Sequence, residues 1–210
     1  MVQIALIRPG TTDYDLQGRI QGRLDIPLNQ QGLEQIAGAI ECLRGSSLVA
    51  LYSSMCRAAQ ETAELLGREL GLKPKALERL QNLDHGLWQG MQIDEVKRKQ
   101  PTVYRQWQEH PEIICPPNGE MLSAVEERTA FALEKLLRKH RFGTIGLVAP
   151  EPLASVIRSR LQGTEVRDLW KAVNGCGRVE ILEVSTLPRS RSNASTSAGS
   201  AVVPKIVNGQ

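Results

Sequence analysis

Charged and hydroxyl residues follow three short apolar stretches of this chain, in the dipeptides Arg8-Pro9, Ser53-Ser54 and Pro150-Glu151. A guanidinium, two hydroxyls and a carboxylate can bind a polar ligand if they lie together. Both prolines add nothing to such chemistry, because proline has no side-chain lone pair and no backbone N–H. The three dipeptides are therefore candidate walls of a ligand site in which proline stands beside each ionisable group.

Apolar patterns place these dipeptides at the ends of β-strands. The run from Val2 to Ile7 is nearly continuous, as expected of a strand buried on both faces. Further strands are predicted at 48–52, 75–77, 143–149 and 178–184, and amphipathic helices at 30–43, 58–70, 120–139 and 152–161. This alternation predicts an α/β fold with a mainly parallel sheet and helices on both faces. Ligands bind beyond the carboxyl ends of such strands, so the three dipeptides are expected to meet at one crevice.

The segment from Leu6 to Gly32 reads LIRPGTTDYDLQGRIQGRLDIPLNQQG. It closely resembles the N-terminal signature of the histidine phosphatase (phosphoglycerate mutase-like) superfamily, and later segments of the family follow in the same order. The resemblance covers roughly residues 2–184. It implies a phosphoglycerate mutase-like three-layer sandwich and a two-step phosphoryl transfer through a phosphohistidine. It also implies a site with two arginines, a second histidine and an acid–base carboxylate.

The resemblance implies catalytic side chains at four positions, and this chain has other residues at all four. Pro9 stands at the nucleophilic histidine, Pro150 at the second histidine, Ala58 at the second arginine and Asn82 at the acid–base carboxylate. An imidazole attacks phosphorus through a free lone pair, and an asparagine amide does not exchange a proton usefully near neutral pH. The four residues therefore predict a degenerate, non-catalytic site.

Remnants of the family's phosphate site are expected at Arg8, Gly10, Asp15, Gln21, Gly22 and Glu151. Arg8 matches a phosphate ligand of the family, whereas Asp15 replaces an asparagine and Glu151 replaces a small residue. Two carboxylates near Arg8 oppose an anionic substrate through repulsion and desolvation. The electrostatic stabilisation that phosphoryl transfer requires is therefore expected to be missing.

Two neighbouring residues offer substitutes for the lost side chains. Arg57 immediately precedes Ala58, but one residue turns a helix by roughly 100°, so we expect Arg57 to point away from the crevice. A local shift that brings it in is the alternative. His85 is expected to be a packing residue, with a role as substitute nucleophile as its alternative.

Length and composition indicate one domain, which we place at residues 1–184 with an insertion segment at 94–117. A Ser-rich tail at 185–210 has too little apolar surface to order itself, so we expect it to be flexible. The alternative is that the apolar cluster at 202–207 docks on the sheet edge of a partner.

Charge and cysteine spacing exclude several classes of ligand. The net charge of +3 falls on the tail, so the body of the chain does not indicate nucleic-acid binding. The four cysteines are widely spaced and form no metal-binding pattern, and we expect no metal and no cofactor. No signal peptide or membrane-spanning segment is evident, so a cytoplasmic protein is expected.

These observations predict a pseudoenzyme, a catalytically inactive protein that acts as a protein-binding, assembly or regulatory subunit. One alternative is a non-catalytic sensor that binds a phosphorylated metabolite, or another anionic small molecule, through Arg8. Another is residual phosphomonoester phosphatase or phosphoglycerate mutase activity. The identity of the partner does not follow from the sequence.

Overall fold

A five-stranded sheet forms the centre of the protein in a computed structural model, which describes residues 2–166, 169 and 175–184. The expected tail at 185–210 lies outside the described residues. The strands are β1 (Val2–Ile7), β2 (Leu48–Ser53), β3 (Lys75–Ala76), β4 (Gly143–Val148) and β5 (Val179–Glu183), in the order β3-β2-β4-β1-β5. All neighbouring pairs are parallel except β1 and β5. The mainly parallel sheet predicted from the sequence is confirmed.

Helices connect the strands and cover both faces of the sheet. They are α1 (Asp13–Leu16), α2 (Gln30–Arg44), α3 (Arg57–Leu70), α4 (Ile93–Lys99), α5 (Pro101–Glu109), α6 (Leu122–Lys139) and α7 (Leu153–Gln162). Single 3₁₀ turns lie at Glu78–Leu80, Gly86–Trp88 and Pro111–Ile113. None of the helices within this part of the chain is long and apolar enough to cross a membrane.

The alternation of side chains along β1 explains the three layers. Ala5 and Ile7 pack in the apolar cluster that contains the buried faces of α2 and α3. Ile4 and Leu6 point to the other face of the sheet and pack in the larger cluster with α6 and α7. All four side chains are fully buried, which is why β1 is continuously apolar from Ile4 to Ile7 rather than alternating.

The segment predicted as an insertion, at 94–117, folds into short helices. It contains α4, α5 and the 3₁₀ turn at Pro111–Ile113. Trp107 of α5 is fully buried and meets Trp88 edge to face, with ring centroids 5.6 Å apart. This segment is therefore anchored in the larger apolar cluster rather than attached as a separate unit.

Strand register brings the carboxyl ends of β1, β2 and β4 together. Val148 lies opposite Ile7 on one side and Ser53 on the other. Arg8 and Ser54 consequently leave the sheet on either side of the loop that begins at Ala149. The three dipeptides named above converge because the strands that precede them end at the same level.

Candidate functional site

A cavity of about 80 Å³ lies at this edge of the sheet. A single buried water needs roughly 10–15 Å³ of such space, so the cavity has room for a small ligand. Nine of the site residues predicted from the sequence line it: Arg8, Pro9, Gly10, Asp15, Gln21, Gly22, Ala58, Pro150 and Glu151. Asn82 does not line it, and neither do Ser53 and Ser54, which were expected in its wall but are buried. The structure therefore brings the predicted site residues together.

Arg8 is held in the cavity wall by an ion pair with Glu151. The Nε of Arg8 donates to Oε1 of Glu151 over 2.6 Å, and both side chains are about nine-tenths buried. The Nη1 of Arg8 is also buried, and no described group accepts a hydrogen bond from it. The cationic group that matches the family's phosphate ligand is therefore neutralised from within the chain, and one of its donors is unused.

The second carboxylate oxygen of Glu151 lies at the N-terminus of α7. Oε2 accepts hydrogen bonds from the backbone N–H of Ser155 over 3.1 Å and from its hydroxyl over 2.7 Å. A carboxylate at a helix N-terminus is stabilised by the unpaired N–H groups and by the helix dipole. The Glu151 carboxylate is thus bound in the manner of an anionic ligand.

Asn82 supports the cavity from behind rather than lining it. Its Nδ2 donates to the carbonyls of Gly22 and Glu151, both over 3.0 Å, and its Oδ1 accepts from the backbone N–H of Leu153 over 3.3 Å. The side chain is almost fully buried. An amide can both donate and accept in this way, whereas an ionised carboxylate can only accept. Asn82 therefore joins three loops of the site in a role that the family's carboxylate could not fill unchanged.

Asp15 and Gln21 meet at Thr12, the residue that caps α1. The Asp15 carboxylate accepts from the Thr12 N–H over 2.8 Å and from its hydroxyl over 2.7 Å, which forms a capping box. Gln21 donates to the same hydroxyl over 2.7 Å. Asp15 lines the cavity, as predicted, but its Oδ2 already accepts both hydrogen bonds from Thr12 at the start of α1.

The three substituted catalytic positions that line the cavity contribute no ionisable side chain to it. Pro9, Ala58 and Pro150 have no titratable group. Arg57 does not compensate for Ala58, because its Nε pairs with Glu61 over 2.8 Å on an exposed face of α3. The prediction that Arg57 points away from the crevice is confirmed.

His85 lines the cavity and also packs against the insertion, with its ring centroid 5.8 Å from that of Trp107. Burial lowers the pKa of His85 to about 4, against weaker opposing effects of the Leu83 carbonyl and the Asp84 carboxylate. The imidazole is therefore neutral at pH 7. Its Nδ1 is buried and has no hydrogen-bond partner among the described residues. The packing role predicted for His85 is confirmed, and its place in the cavity wall was not predicted.

Seven further residues line the cavity that were not predicted from the sequence. They are Thr12, Arg19, Ile20, Ile93, Pro152, Leu169 and Cys176. Burial raises the pKa of the Cys176 thiol to about 11, and the nearby Asp15 carboxylate acts in the same direction. Cys176 is thus a poor nucleophile at neutral pH. No group of histidine, cysteine and acidic residues suited to a metal ion occurs in the described ranges.

Comparison with known proteins agrees with this geometry. The family model of the histidine phosphatase superfamily (branch 1) matches residues 4–189, which extends past the boundary predicted at 184. Phosphoserine phosphatase 1 of Hydrogenobacter thermophilus is 29% identical over 170 residues, which cover 81% of each chain. Glucosyl-3-phosphoglycerate phosphatase of Mycolicibacterium vanbaalenii is 29% identical over 190 residues, which cover 87% of this chain and 84% of the relative.

Solved structures give the same match at the level of the fold. YhfR of Bacillus stearothermophilus superposes with a TM-score of 0.78 at 25% identity, covering 87% of this chain and 91% of the other. Mycobacterial glucosyl-3-phosphoglycerate phosphatase, solved in complex with VO3, superposes with a TM-score of 0.73 at 27% identity. That match covers 80% of this chain and 86% of the other.

Proposed function

Because this chain belongs to the histidine phosphatase superfamily, we propose that it is a member that no longer transfers phosphoryl groups. The observation that carries the proposal is the pair of prolines, Pro9 and Pro150, in the wall of the cavity. Neither has a nitrogen lone pair that could attack phosphorus. A change of rotamer or protonation state does not supply one, so a phosphohistidine cannot form at these positions.

The charges in the cavity support the same proposal. Transfer of a phosphoryl group depends on cations placed around its equatorial oxygens. Here Arg8 is paired with Glu151, and Ala58 provides no second guanidinium. The Asp15 carboxylate adds a further negative charge to the wall.

Acid–base catalysis also lacks its usual group. Asn82 occupies the position of the family's proton donor and is bound through both ends of its amide. His85 is neutral but buried against Trp107. We therefore assign the retained fold to a protein-binding, assembly or regulatory role, in which the sandwich serves as a scaffold.

Phosphomonoester hydrolysis by a rearranged mechanism is the second candidate. It is favoured by the relatives, whose names describe phosphatases of phosphoserine and of glucosyl-3-phosphoglycerate. It requires a nucleophile other than the residue at position 9. The candidates are an activated water and His85, a neutral imidazole in the cavity wall whose Nδ1 has no partner among the described residues.

Turnover by the unmodified protein distinguishes the two candidates. We expect no hydrolysis of phosphoserine or p-nitrophenyl phosphate above that of Arg8→Ala, with Arg57→Ala as the matched exposed-arginine control. Turnover that is retained in Arg57→Ala and lost in Arg8→Ala would overturn the proposal. The scaffold role is tested by affinity capture from the native source followed by mass spectrometry, and monomeric recovery at native abundance would count against it.

A further inference from the structure

Three donors surround the Glu151 carboxylate, and they are of the kinds that bind phosphate. They are the guanidinium of Arg8, the backbone N–H of Ser155 at the start of α7, and the Ser155 hydroxyl. Arginine and helix N-termini both bind oxyanions through charge-assisted hydrogen bonds. The chain has thus placed one of its own carboxylates among donors suited to an external anion.

A carboxylate does not satisfy all of these donors. Its two oxygens are used on opposite sides, Oε1 by Arg8 and Oε2 by Ser155. The Nη1 of Arg8 is left buried without an acceptor among the described residues, although only 7% of Arg8 is exposed. A buried donor without a partner costs free energy. A phosphate has more oxygens than a carboxylate, so it can accept a hydrogen bond from Nη1 in addition to those from the other donors.

We propose that Glu151 is a built-in ligand of an oxyanion site formed by Arg8 and the N-terminus of α7, and that this carboxylate keeps phosphate-sized anions out. The proposal rests on the proposed function, because a protein that hydrolysed phosphomonoesters would need this site open to an anionic substrate. Removal of the Glu151 charge converts the closed site into an open one. The cavity beside the pair supplies the space for the incoming anion.

The test is the affinity for inorganic phosphate, measured by isothermal titration calorimetry at constant ionic strength. Glu151→Gln preserves the size of the side chain and removes its charge. We expect it to bind phosphate at least about tenfold more tightly than the unmodified protein, because a repelling charge and a competing acceptor are lost. Equal affinity in the two proteins would overturn the proposal.

Two further variants isolate the site. Glu180→Gln removes the carboxylate of another arginine pair, that of Arg158 and Glu180 at 3.0 Å, and should bind phosphate as weakly as the unmodified protein. Adding Arg8→Gln to Glu151→Gln should abolish the gain in affinity. A gain in Glu180→Gln, or its persistence in the double variant, would contradict the assignment.

The Glu151→Gln variant leaves a buried guanidinium without a counter-charge, so its folding is part of the test. If it does not fold in chloride, it is refolded in phosphate at the same ionic strength. Rescue by phosphate supports the proposal, and failure of rescue overturns it. Phosphatase turnover by the unmodified protein would overturn the proposed function but not a difference in phosphate affinity between the two proteins, so the two failures can be told apart.

Discussion

The backbones of Gly10 and Gly32 lie in direct contact. A Cβ added to Gly10 would stand only 2.5 Å from the carbonyl oxygen of Gly32, so there is no room for a side chain at this position. Gly32 belongs to the first turn of α2, and Gly10 to the loop that carries Arg8. Gln35 reinforces this contact, since its Oε1 accepts from both the N–H and the hydroxyl of Thr11, each over 2.9 Å. The position of the Arg8 loop is therefore set by close approach of backbone to backbone.

Substitution of Gly32 by alanine should destabilise the protein. The added Cβ would meet the carbonyl oxygen of Thr11 at 2.3 Å, so the loop must shift. We expect the free energy of unfolding to fall by about 1–3 kcal/mol, measured by denaturation in urea. Gly38→Ala is the matched control in the same helix, because a Cβ there meets nothing within 4 Å. It should raise stability by up to about 1 kcal/mol, and a similar loss in both variants would refute the role of the contact.

Asn82→Asp tests the structural role assigned to the amide. The change is nearly isosteric, but a carboxylate cannot donate to the carbonyls of Gly22 and Glu151. Two acceptors would then face a buried charge, and we expect a loss of about 2–4 kcal/mol in unfolding free energy at pH 7. Asn118→Asp is the exposed control. Its φ of 59° is left-handed, a conformation that asparagine and aspartate both adopt, so the change should alter stability by less than about 0.5 kcal/mol. Unchanged stability of Asn82→Asp would show that these hydrogen bonds contribute little.

The buried His85 should make stability depend on pH. Its pKa is lowered to about 4 in the folded protein, so between the unfolded value near 6.5 and about 4 the unfolded chain binds more protons. The free energy of unfolding is therefore not reduced by His85 above about pH 6.5, and it decreases as the pH falls through this window. The whole effect amounts to about 3 kcal/mol.

Comparison of variants separates His85 from other titrating groups. His85→Phe should remove this part of the pH dependence, as read from urea denaturation at pH 7.5 and pH 4.5. His110→Gln, at a side chain that is 63% exposed, should keep the pH dependence of the unmodified protein. An identical loss of stability at low pH in all three proteins would be inconsistent with the buried imidazole as its source.

The sequence was sufficient to predict the sheet and the crevice, and the reason is visible in β1 and β4. Strands buried on both faces are mostly apolar, so a charged residue just beyond the run marks the end of each strand, at Arg8 after β1 and at Glu151 after β4. The parallel register then brings these ends together. Local signals of this kind do not depend on distant parts of the chain.

Contacts between distant segments were harder to predict. Opposed charges were expected at Arg8 and Glu151, but the direct pair and the second contact of Glu151 with Ser155 depend on the start of α7. Cys176 enters the cavity from the residues before β5, where no sequence pattern marks it. Arg19 lies within the family signature, but nothing in its local sequence shows that it reaches the cavity. The same limit applies to Asp15, whose carboxylate is directed by the cap of a four-residue helix.

The ion pair of Arg8 and Glu151 should show strong energetic coupling in a double-mutant cycle. Each single variant, Arg8→Gln or Glu151→Gln, leaves one charge buried without its partner, which typically costs about 3–5 kcal/mol. The double variant leaves neither, so its loss in unfolding free energy should be smaller than the sum of the single losses by about 1–3 kcal/mol. Parallel cycles on Arg158 and Glu180, whose side chains are each 32% exposed, should give a coupling below about 1 kcal/mol. Additive losses at Arg8 and Glu151 would mean that the short distance between them reflects proximity without mutual stabilisation.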